Sequence, residues 1–198
     1  MSHPEGQQPV KVGVLLARRP DDLGEWLAEG ASFEAAGADA LWVALAPERE
    51  LDPLAVTAAL AAVTFRSLLV TALPAGDGPS RDRARTLGTI GRLSHGRLRI
   101  LTDAPTSGDL AEAGPGLEVF RRVPGDPETF ALTRGPDEAE RWVTSPCPDG
   151  RATWRAALLD AAGRGFRGLL VPAEPRLLDI LRNPGEPDHR GDLQLAQG

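Results

Sequence analysis

The side chains that could do chemistry in this sequence are few, and arginines in predicted loops stand out among them. Arg18 and Arg19 follow a short apolar segment, and Arg176 opens a predicted helix. A guanidinium group can donate two parallel hydrogen bonds to a phosphate, and a helix N-terminus adds backbone donors. These arginines are therefore candidate phosphate ligands, although loop arginines of this kind can also be merely solvated. The carboxylate of Glu174 beside Arg176 would repel a phosphate and weighs against that position.

Histidine and cysteine, the usual acid–base and nucleophilic residues, are not arranged for catalysis. His3 and His189 lie in polar terminal segments, and His95 lies in a predicted turn. Cys147 lies between two prolines, and we expect neither a helix N-terminus nor a histidine near it to lower its pKa. No set of His, Cys, Asp and Glu has the spacing of metal ligands. The sequence therefore names no catalytic residue and predicts no metal site.

The elements that must position the candidate residues alternate between strand and helix. Strands are predicted at 10–16, 39–45, 67–73, 98–101 and 167–171. Helices are predicted at 23–36, 53–65, 79–92, 151–162 and 175–181. Asp21 or Asp22 can cap the first helix, and Asp52 followed by Pro53 marks the start of the second. This alternation predicts a parallel α/β sheet with right-handed crossovers, either an open doubly wound sheet or a (β/α) barrel.

The middle of the chain interrupts this alternation. Short strands separated by PGDP and RGPD turns are predicted at 117–123, 128–133 and 139–145. An antiparallel excursion at about 117–145 is the simplest account. The segments EAAG before LWV and DAAG before LLV also repeat a helix end that leads into a buried strand. A repeat of this unit near both ends of the chain favours the barrel.

Length and composition predict a single domain. The chain has 198 residues, 41% of them hydrophobic, which is enough for one substantial core. A net charge of −6 favours no nucleic-acid partner. One cysteine, no apolar leader and no run of about 18 apolar residues predict a cytoplasmic protein without a membrane segment. We expect a disordered leader at 1–9, one domain at 10–183 and an extended tail at 184–198.

Three segments that follow one another in the first half of the chain point to a known family. They are EAAGADALWVA at 34–44, LDPLAVTAALAAVTFRSLLVTAL at 51–73 and RLSHGRLRI at 92–100. In this order, over about residues 10–101, they resemble the bacterial luciferase-like monooxygenase family. Members of that family show an AGFD-LWV segment, a DP run rich in alanine, and an LS-GR turn.

The resemblance implies a TIM-barrel-like fold with a flavin at the C-terminal ends of the strands. The cofactor would be reduced FMN or the deazaflavin coenzyme F420, the substrate a small organic molecule, and a flavin reductase a possible partner. Thr71 and Ala72 lie where the family apposes its third strand to the isoalloxazine ring, although an ordinary buried strand end fits them equally. With Thr102 after the fourth strand, and Arg18 and Arg176 as phosphate ligands, they complete the candidate cofactor-binding set.

Departures from the family leave the activity open. A full (β/α) barrel has about 250 residues, and only five βα strands are predicted here, so we expect a truncated barrel that includes the antiparallel excursion. An exposed edge left by missing units would favour a homodimer. The family's glycine-rich run after strand four is replaced by TDAP at 102–105, and Ala46 stands where active relatives often place a histidine or an acid.

Two functions therefore remain in view. The first is a luciferase-like flavin-dependent oxidoreductase or monooxygenase, in which the cofactor does the redox chemistry. The second is a non-catalytic homologue that binds flavin, or serves as a scaffold or partner subunit.

Overall fold

Eight strands close into one barrel in the computed structural model, which describes residues 9–17, 21–44, 51–73, 81–103, 117–133 and 139–185. The strands are β1 (Lys11–Leu15), β2 (Ala40–Val43), β3 (Leu68–Ala72), β4 (Leu98–Leu101), β5 (Val119–Val123), β6 (Asp126–Thr133), β7 (Ala139–Thr144) and β8 (Gly168–Pro172). Neighbours in sequence are neighbours in the barrel, and β8 closes it by pairing in parallel with β1. Only β6 runs against both of its neighbours.

Five helices accompany the described strands. They are α1 (Leu23–Ala35), α2 (Pro53–Val63), α3 (Arg81–Leu93), α4 (Arg151–Gly163) and α5 (Pro175–Arg182). The carboxylate of Asp22 caps α1 by accepting a hydrogen bond from the backbone N–H of Glu25 at 2.8 Å. Asp52 does the same for α2, accepting from Leu54 N–H at 2.7 Å, with Pro53 as the first helical residue. Both predicted start signals are thus confirmed, because each side chain satisfies a donor that the helix leaves free.

The antiparallel excursion supplies three strands of the barrel, β5, β6 and β7. β5 joins β4 in parallel, and β7 joins β8 in parallel, so β5–β6–β7 bridges the two parallel parts of the sheet. The expectation of an exposed edge left by missing units is therefore wrong for the described strands. A homodimer remains a prediction, but the open edge cannot be its cause.

The barrel interior is packed with aromatic side chains. Trp42, Phe120, Phe130 and Trp142 are buried there, and the ring centroids of contacting pairs lie 4.9–5.9 Å apart. The indole of Trp142 covers Gly168, where an added Cβ would come within 2.1 Å of the ring. A second apolar layer lies between the outer side of the strands and the helices. The interior is thus a filled core, as is usual for eight-stranded barrels.

The amino-terminal end of the barrel is closed by polar contacts. Glu140 on β7 accepts hydrogen bonds from Lys11 Nζ at 2.8 Å and from Trp142 Nε1 at 2.9 Å. Arg99 on β4 pairs with Glu118 just before β5. These charges sit below the aromatic core, where Lys11 on β1 reaches past β8 to Glu140 on β7 and Arg99 pairs with the segment before the adjacent strand β5. Conserving such contacts serves stability, because the amino-terminal face is not where barrels bind substrates.

The LSHGR turn also lies at this end. His95 and Gly96 both have positive φ, at 52° and 78°, which lets the chain reverse between α3 and β4. The side chain of Arg97 is buried and donates to the carbonyl oxygens of Ser67 at 2.8 Å and Thr64 at 2.7 Å. The turn is therefore structural, and His95 lies away from the carboxyl-terminal mouth.

None of the described helices combines the length and the apolar character needed to cross a bilayer.

Candidate functional site

Three alanines end or follow adjacent strands at the carboxyl-terminal end of the barrel: Ala17 follows β1, Ala44 follows β2 and Ala72 ends β3. Leu15 is opposite Trp42, and Trp42 is opposite Val70. Extending that register by two residues aligns Ala17, Ala44 and Ala72 on the interior side of three adjacent strands. We call these three residues the alanine ledge.

The aromatic core forms the floor beneath the alanine ledge. Trp42 precedes Ala44 by two residues on β2 and is 1% exposed. Ala72 packs at the edge of the interior cluster that contains Trp42, Phe120 and Phe130. Because alanine is the smallest side chain with a Cβ, these three positions carry no projecting side chain.

The opposite side of the mouth is polar. Arg122 on β5 lies with its guanidinium carbon 5.6 Å from the centroid of the Phe130 ring. Its Nε lies 3.2 Å from Oδ2 of Asp103, which follows β4. Both side chains are about half exposed, at 49% and 57%, so water screens the pair and it contributes little to stability. Arg122 is thus a positively charged group that an incoming anion can recruit.

The predicted cofactor-binding residues do not all gather at this mouth. Ala72 does, since it ends β3 on the interior side. Thr102 follows β4 at the same end of the barrel, but it has the parity of Ile100, which packs against the helices, so its side chain is on the outer side. Thr102 is 5% exposed and its backbone N–H donates to Phe120 O at 3.2 Å. Thr71 follows Val70, an interior residue, so its side chain is directed outward toward the helices and is fully buried there. Arg18 lies outside the described residues, as does Ala46.

Arg176 lies in the first turn of α5, where it pairs with Asp149. Its Nη1 lies 3.1 Å from Asp149 Oδ1, and both side chains are more than half exposed. The predicted repulsion by Glu174 remains relevant, because Glu174 is the N-cap residue of α5 and makes no capping hydrogen bond. The structure thus offers a partnered arginine on the surface at this position.

Cys147 corrects one expectation. The backbone N–H of Leu177 in the first turn of α5 reaches the thiol, so a helix N-terminus does lie beside Cys147. Burial nevertheless raises the pKa of the thiol, and a hydrogen bond and the charge of Glu174 raise it further, against the smaller effects of Arg176 and Leu177. Cys147 is therefore held as a thiol, which does not suit a nucleophile.

The described residues contain no group of three His, Cys, Asp or Glu side chains placed to hold a metal ion. The indole N–H of Trp42 is buried and has no hydrogen-bond partner among them. It points across the barrel toward Gly13, where an added Cβ would lie 3.1 Å from Nε1. This donor lies inside the packed core rather than at the mouth.

Arg122 is the residue that sequence reasoning missed. The sequence does indicate the face on which Arg122 lies. Arg122 is two residues from the apolar Phe120 within one short strand, so both side chains are on the same face of the sheet. The position of Arg122 over Phe130, however, depends on the hairpin register, which pairs Arg122 with Phe130 and shifts at Val123. In a hairpin the register is set by the turn and by any bulge, and the irregularity between Arg122 and Val123 was not predicted from the sequence.

Comparisons with known proteins assign no family. No family model matches the chain. A segment of 93 residues, 47% of this chain, is 33% identical to 4-diphosphocytidyl-2-C-methyl-D-erythritol kinase from each of two strains of Caulobacter vibrioides. That match spans about a third of the kinase, at 30% of its length. Tryptophan synthase from M. tuberculosis, solved in an aminoacrylate-bound form, superposes with a TM-score of 0.41 at 16% identity, covering 89% of this chain and 92% of its own.

Proposed function

We propose that this chain is a luciferase-like flavin-dependent oxidoreductase that holds reduced FMN or a deazaflavin at the carboxyl-terminal mouth of its barrel. The substrate would be a small organic molecule, and a separate flavin reductase would supply the reduced cofactor. The proposal is carried by the alanine ledge, three small side chains that the register of β1, β2 and β3 aligns when it is extended past the strand ends. The order of the EAAGADALWVA, LDPLAVTAAL and RLSHGRLRI segments supports the same family.

The ledge suits one face of an isoalloxazine ring. A planar tricyclic group gains contact only from a surface without projecting side chains, and Ala17, Ala44 and Ala72 present methyl groups alone. The buried ring of Trp42 below them excludes water from that side. Loss of water from the ring face favours burial by about 25 cal/mol for each Å² removed from solvent.

Arg122 suits the polar part of the same cofactor. Flavin mononucleotide carries a phosphate, and an arginine fork matches phosphate oxygens. Its half-exposed pair with Asp103 costs little to break, so the guanidinium can exchange one anion for another. When bound, the reduced flavin supplies the electrons of the reaction. The chain then contributes binding, orientation and shielding, and these need no histidine at the mouth.

A second candidate is a non-catalytic homologue that binds flavin or serves as a partner subunit. The filled interior favours it, because Trp42, Phe120 and Phe130 leave a substrate only the rim of the barrel. Asp103, the acid at the described rim beside Arg122, is engaged in an ion pair. The TDAP segment at 102–105 departs from the family at the same place.

The visible absorption spectrum of the purified protein, followed by thermal shift with FMN and with a deazaflavin, tests the proposal. We expect one of the two cofactors to raise the melting temperature in the wild type. Ala72→Leu on the ledge should abolish the shift, while Ala156→Leu on the exposed side of α4 should leave it unchanged. Circular dichroism must show both variants folded.

Turnover separates the two candidates. Oxygen-dependent oxidation of a substrate with a flavin reductase would support the oxidoreductase. Cofactor binding without any turnover would support the non-catalytic flavin protein. If neither cofactor binds or stabilises the protein, the flavin proposal is overturned, and only the scaffold function is left.

A further inference from the structure

An arginine and an aspartate project over the interior of the barrel at its carboxyl-terminal end. Leu101 lies opposite Phe120 in the β4–β5 pair, and both side chains belong to the interior apolar cluster. Two residues further along each strand direction, Asp103 and Arg122 have the same parity and are on the same side of the sheet. Nε of Arg122 lies 3.2 Å from Oδ2 of Asp103, so the two side chains meet there.

The guanidinium of Arg122 is positioned by an aromatic ring. Phe130 is opposite Arg122 in the β5–β6 hairpin, is 5% exposed, and has its ring centroid 5.6 Å from the guanidinium carbon. The face of an aromatic ring attracts a cation, and desolvation strengthens that attraction. Arg122 therefore presents a positioned charge at the mouth, and Asp103 is the acid that contacts it among the described ion pairs.

The carboxylate of Asp103 makes the kind of contact with Arg122 that a phosphate oxygen would make. Both are anionic oxygens that accept from a guanidinium, so they compete for the same donors. A phosphate on the remaining donors of Arg122 would lie close to that carboxylate and be repelled by it. The side chain of Asp103 is 57% exposed, so it can turn away into water when a phosphate arrives.

We infer that Asp103 competes with the phosphate of FMN for Arg122, and so limits how much the phosphate adds to the affinity for the flavin. This inference rests on the proposed function, because it takes the phosphate at the mouth to be that of FMN. It gives Asp103 a role in specificity between ligands with and without a phosphate monoester. Riboflavin has the same ring as FMN and no phosphate, so its contact with the alanine ledge does not depend on the pair.

The exposure of the pair sets the size of this effect. Arg122 and Asp103 are 49% and 57% exposed, so water and salt screen their attraction. An ion pair of this kind changes an equilibrium by roughly 1.5- to 5-fold. Removal of the acid should therefore strengthen FMN binding by a factor in this range.

Glu128 is a matched control for Asp103. It lies two residues before Phe130 on β6, on the same side of the sheet, and it is exposed. It thus carries the same charge near the mouth, but among the described residues it forms no ion pair with Arg122. A general effect of removing one negative charge from this end of the barrel should appear equally in Glu128→Gln.

Fluorescence titration of the full chain with oxidised FMN and with riboflavin, at about pH 7.5 and about 0.1 M salt, measures the two affinities. In Asp103→Asn, the dissociation constant for FMN should fall roughly 2- to 5-fold, and that for riboflavin should stay within about 1.5-fold. In Glu128→Gln, both constants should stay within about 1.5-fold, because a charge without a direct contact is screened. Circular dichroism checks that each variant is folded.

Arg122→Gln shows whether Asp103 acts through Arg122. Loss of the guanidinium should weaken FMN binding roughly 10-fold, because charge-assisted hydrogen bonds to the phosphate are lost, and should leave riboflavin binding unchanged. Adding Asp103→Asn to Arg122→Gln should then bring no gain beyond that of Glu128→Gln. A merely structural role of Asp103 would change the affinities for both flavins together.

The outcomes separate this inference from the proposed function. FMN binding that Asp103→Asn strengthens no more than Glu128→Gln does would overturn the inference and leave the flavin proposal standing. A gain for FMN that persists beside Arg122→Gln, or an equal gain for riboflavin, would also overturn it, because the effect would then not be competition for Arg122. If neither flavin binds the wild type or any variant, the proposed function fails and this inference fails with it.

Discussion

The connection between α2 and β3 depends on one buried carboxylate, that of Glu34 near the end of α1. Glu34 is 6% exposed and accepts hydrogen bonds from three successive backbone N–H groups. The shortest distances are 2.8 Å from Phe65 N, 2.8 Å from Arg66 N and 2.8 Å from Ser67 N. We predict that Glu34→Gln, which keeps the shape of the side chain, destabilises the protein at neutral pH.

The size of the effect follows from these contacts. A glutamine oxygen in place of Oε2 can still accept from Arg66 and Ser67, but the amide NH₂ then faces the N–H of Phe65. The N–H of Phe65 loses its shorter acceptor and keeps only the 3.0 Å contact with the remaining oxygen, which costs about 1 kcal/mol. The charge-assisted bonds from Arg66 and Ser67 become neutral ones at about half the strength. The expected loss is about 2–3 kcal/mol, or a decrease of about 4–12 °C in melting temperature for a chain of this size.

The pKa of Glu34 determines how the stability difference between wild type and Glu34→Gln changes with pH. Burial alone would raise the pKa of Glu34, but the N–H groups of Ser67, Arg66 and Phe65 outweigh burial and hold it below its ordinary value of 4.5. The folded state therefore favours the ionised carboxylate. Its contribution is complete above the unfolded pKa and is lost as the pH falls through the lower, folded value. The difference between wild type and Glu34→Gln should shrink at acid pH.

Urea denaturation at pH 7 and at pH 3.5 measures this difference. Glu29→Gln on the same helix is the control, because Glu29 makes none of these contacts with the α2–β3 connection. It should change the free energy of unfolding by less than about 0.5 kcal/mol. A Glu34→Gln variant as stable as the wild type at pH 7, or a difference that stays constant with pH, would refute the reasoning.

Four further substitutions test the packing and the electrostatics. Gly168→Ala places a Cβ 2.1 Å from Cδ2 of Trp142 and should lower the free energy of unfolding by about 2–4 kcal/mol. At Gly91 an added Cβ would meet nothing within 4 Å, so Gly91→Ala should stabilise α3 slightly. Thermal unfolding compares the two variants. Arg97→Lys keeps the charge but cannot bond the carbonyls of Thr64 and Ser67 together, so urea denaturation should show a loss of about 1–2 kcal/mol. Glu174→Gln should lower the pKa of Cys147, and iodoacetamide alkylation of this single cysteine at pH 8 should become faster; an unchanged rate would contradict the assigned cause.

The positions of β1 to β4 and β8 were predictable because each of these strands is a short, mainly apolar run rich in Val, Leu and Ile between turn signals. Val10–Leu16 became β1, and even the strands of the excursion were located to within a few residues. The closure of the barrel by β8 against β1 was not predictable. It depends on the parallel register of β8 with β1, in which Lys11 lies opposite Gly168 across more than 150 residues of chain. No local pattern encodes that pairing.

Some side-chain contacts were missed for the same reason, because their partners are far apart in the sequence. Glu34 looked like part of a helix end, and its partners at 65–67 lie more than 30 residues away. The contact of Cys147 with the N-terminus of α5 was missed, because α5 begins 28 residues later in the sequence. Helix caps, in contrast, were predictable, since Asp22 and Asp52 bond donors within three residues of themselves.

The distribution of buried polar contacts between the two ends of the barrel supports a functional role for the mouth. At the amino-terminal end, Glu34, Arg97 and Glu140 are each held by several partners and are almost fully buried. At the carboxyl-terminal end, Arg122 and Asp103 form a pair that remains about half exposed. A group that water already solvates can be redirected to a ligand at small cost, whereas a buried network cannot. Substitutions at Arg122 should therefore change ligand binding much more than the free energy of unfolding. Substitutions at Arg97 should change the free energy of unfolding much more than ligand binding.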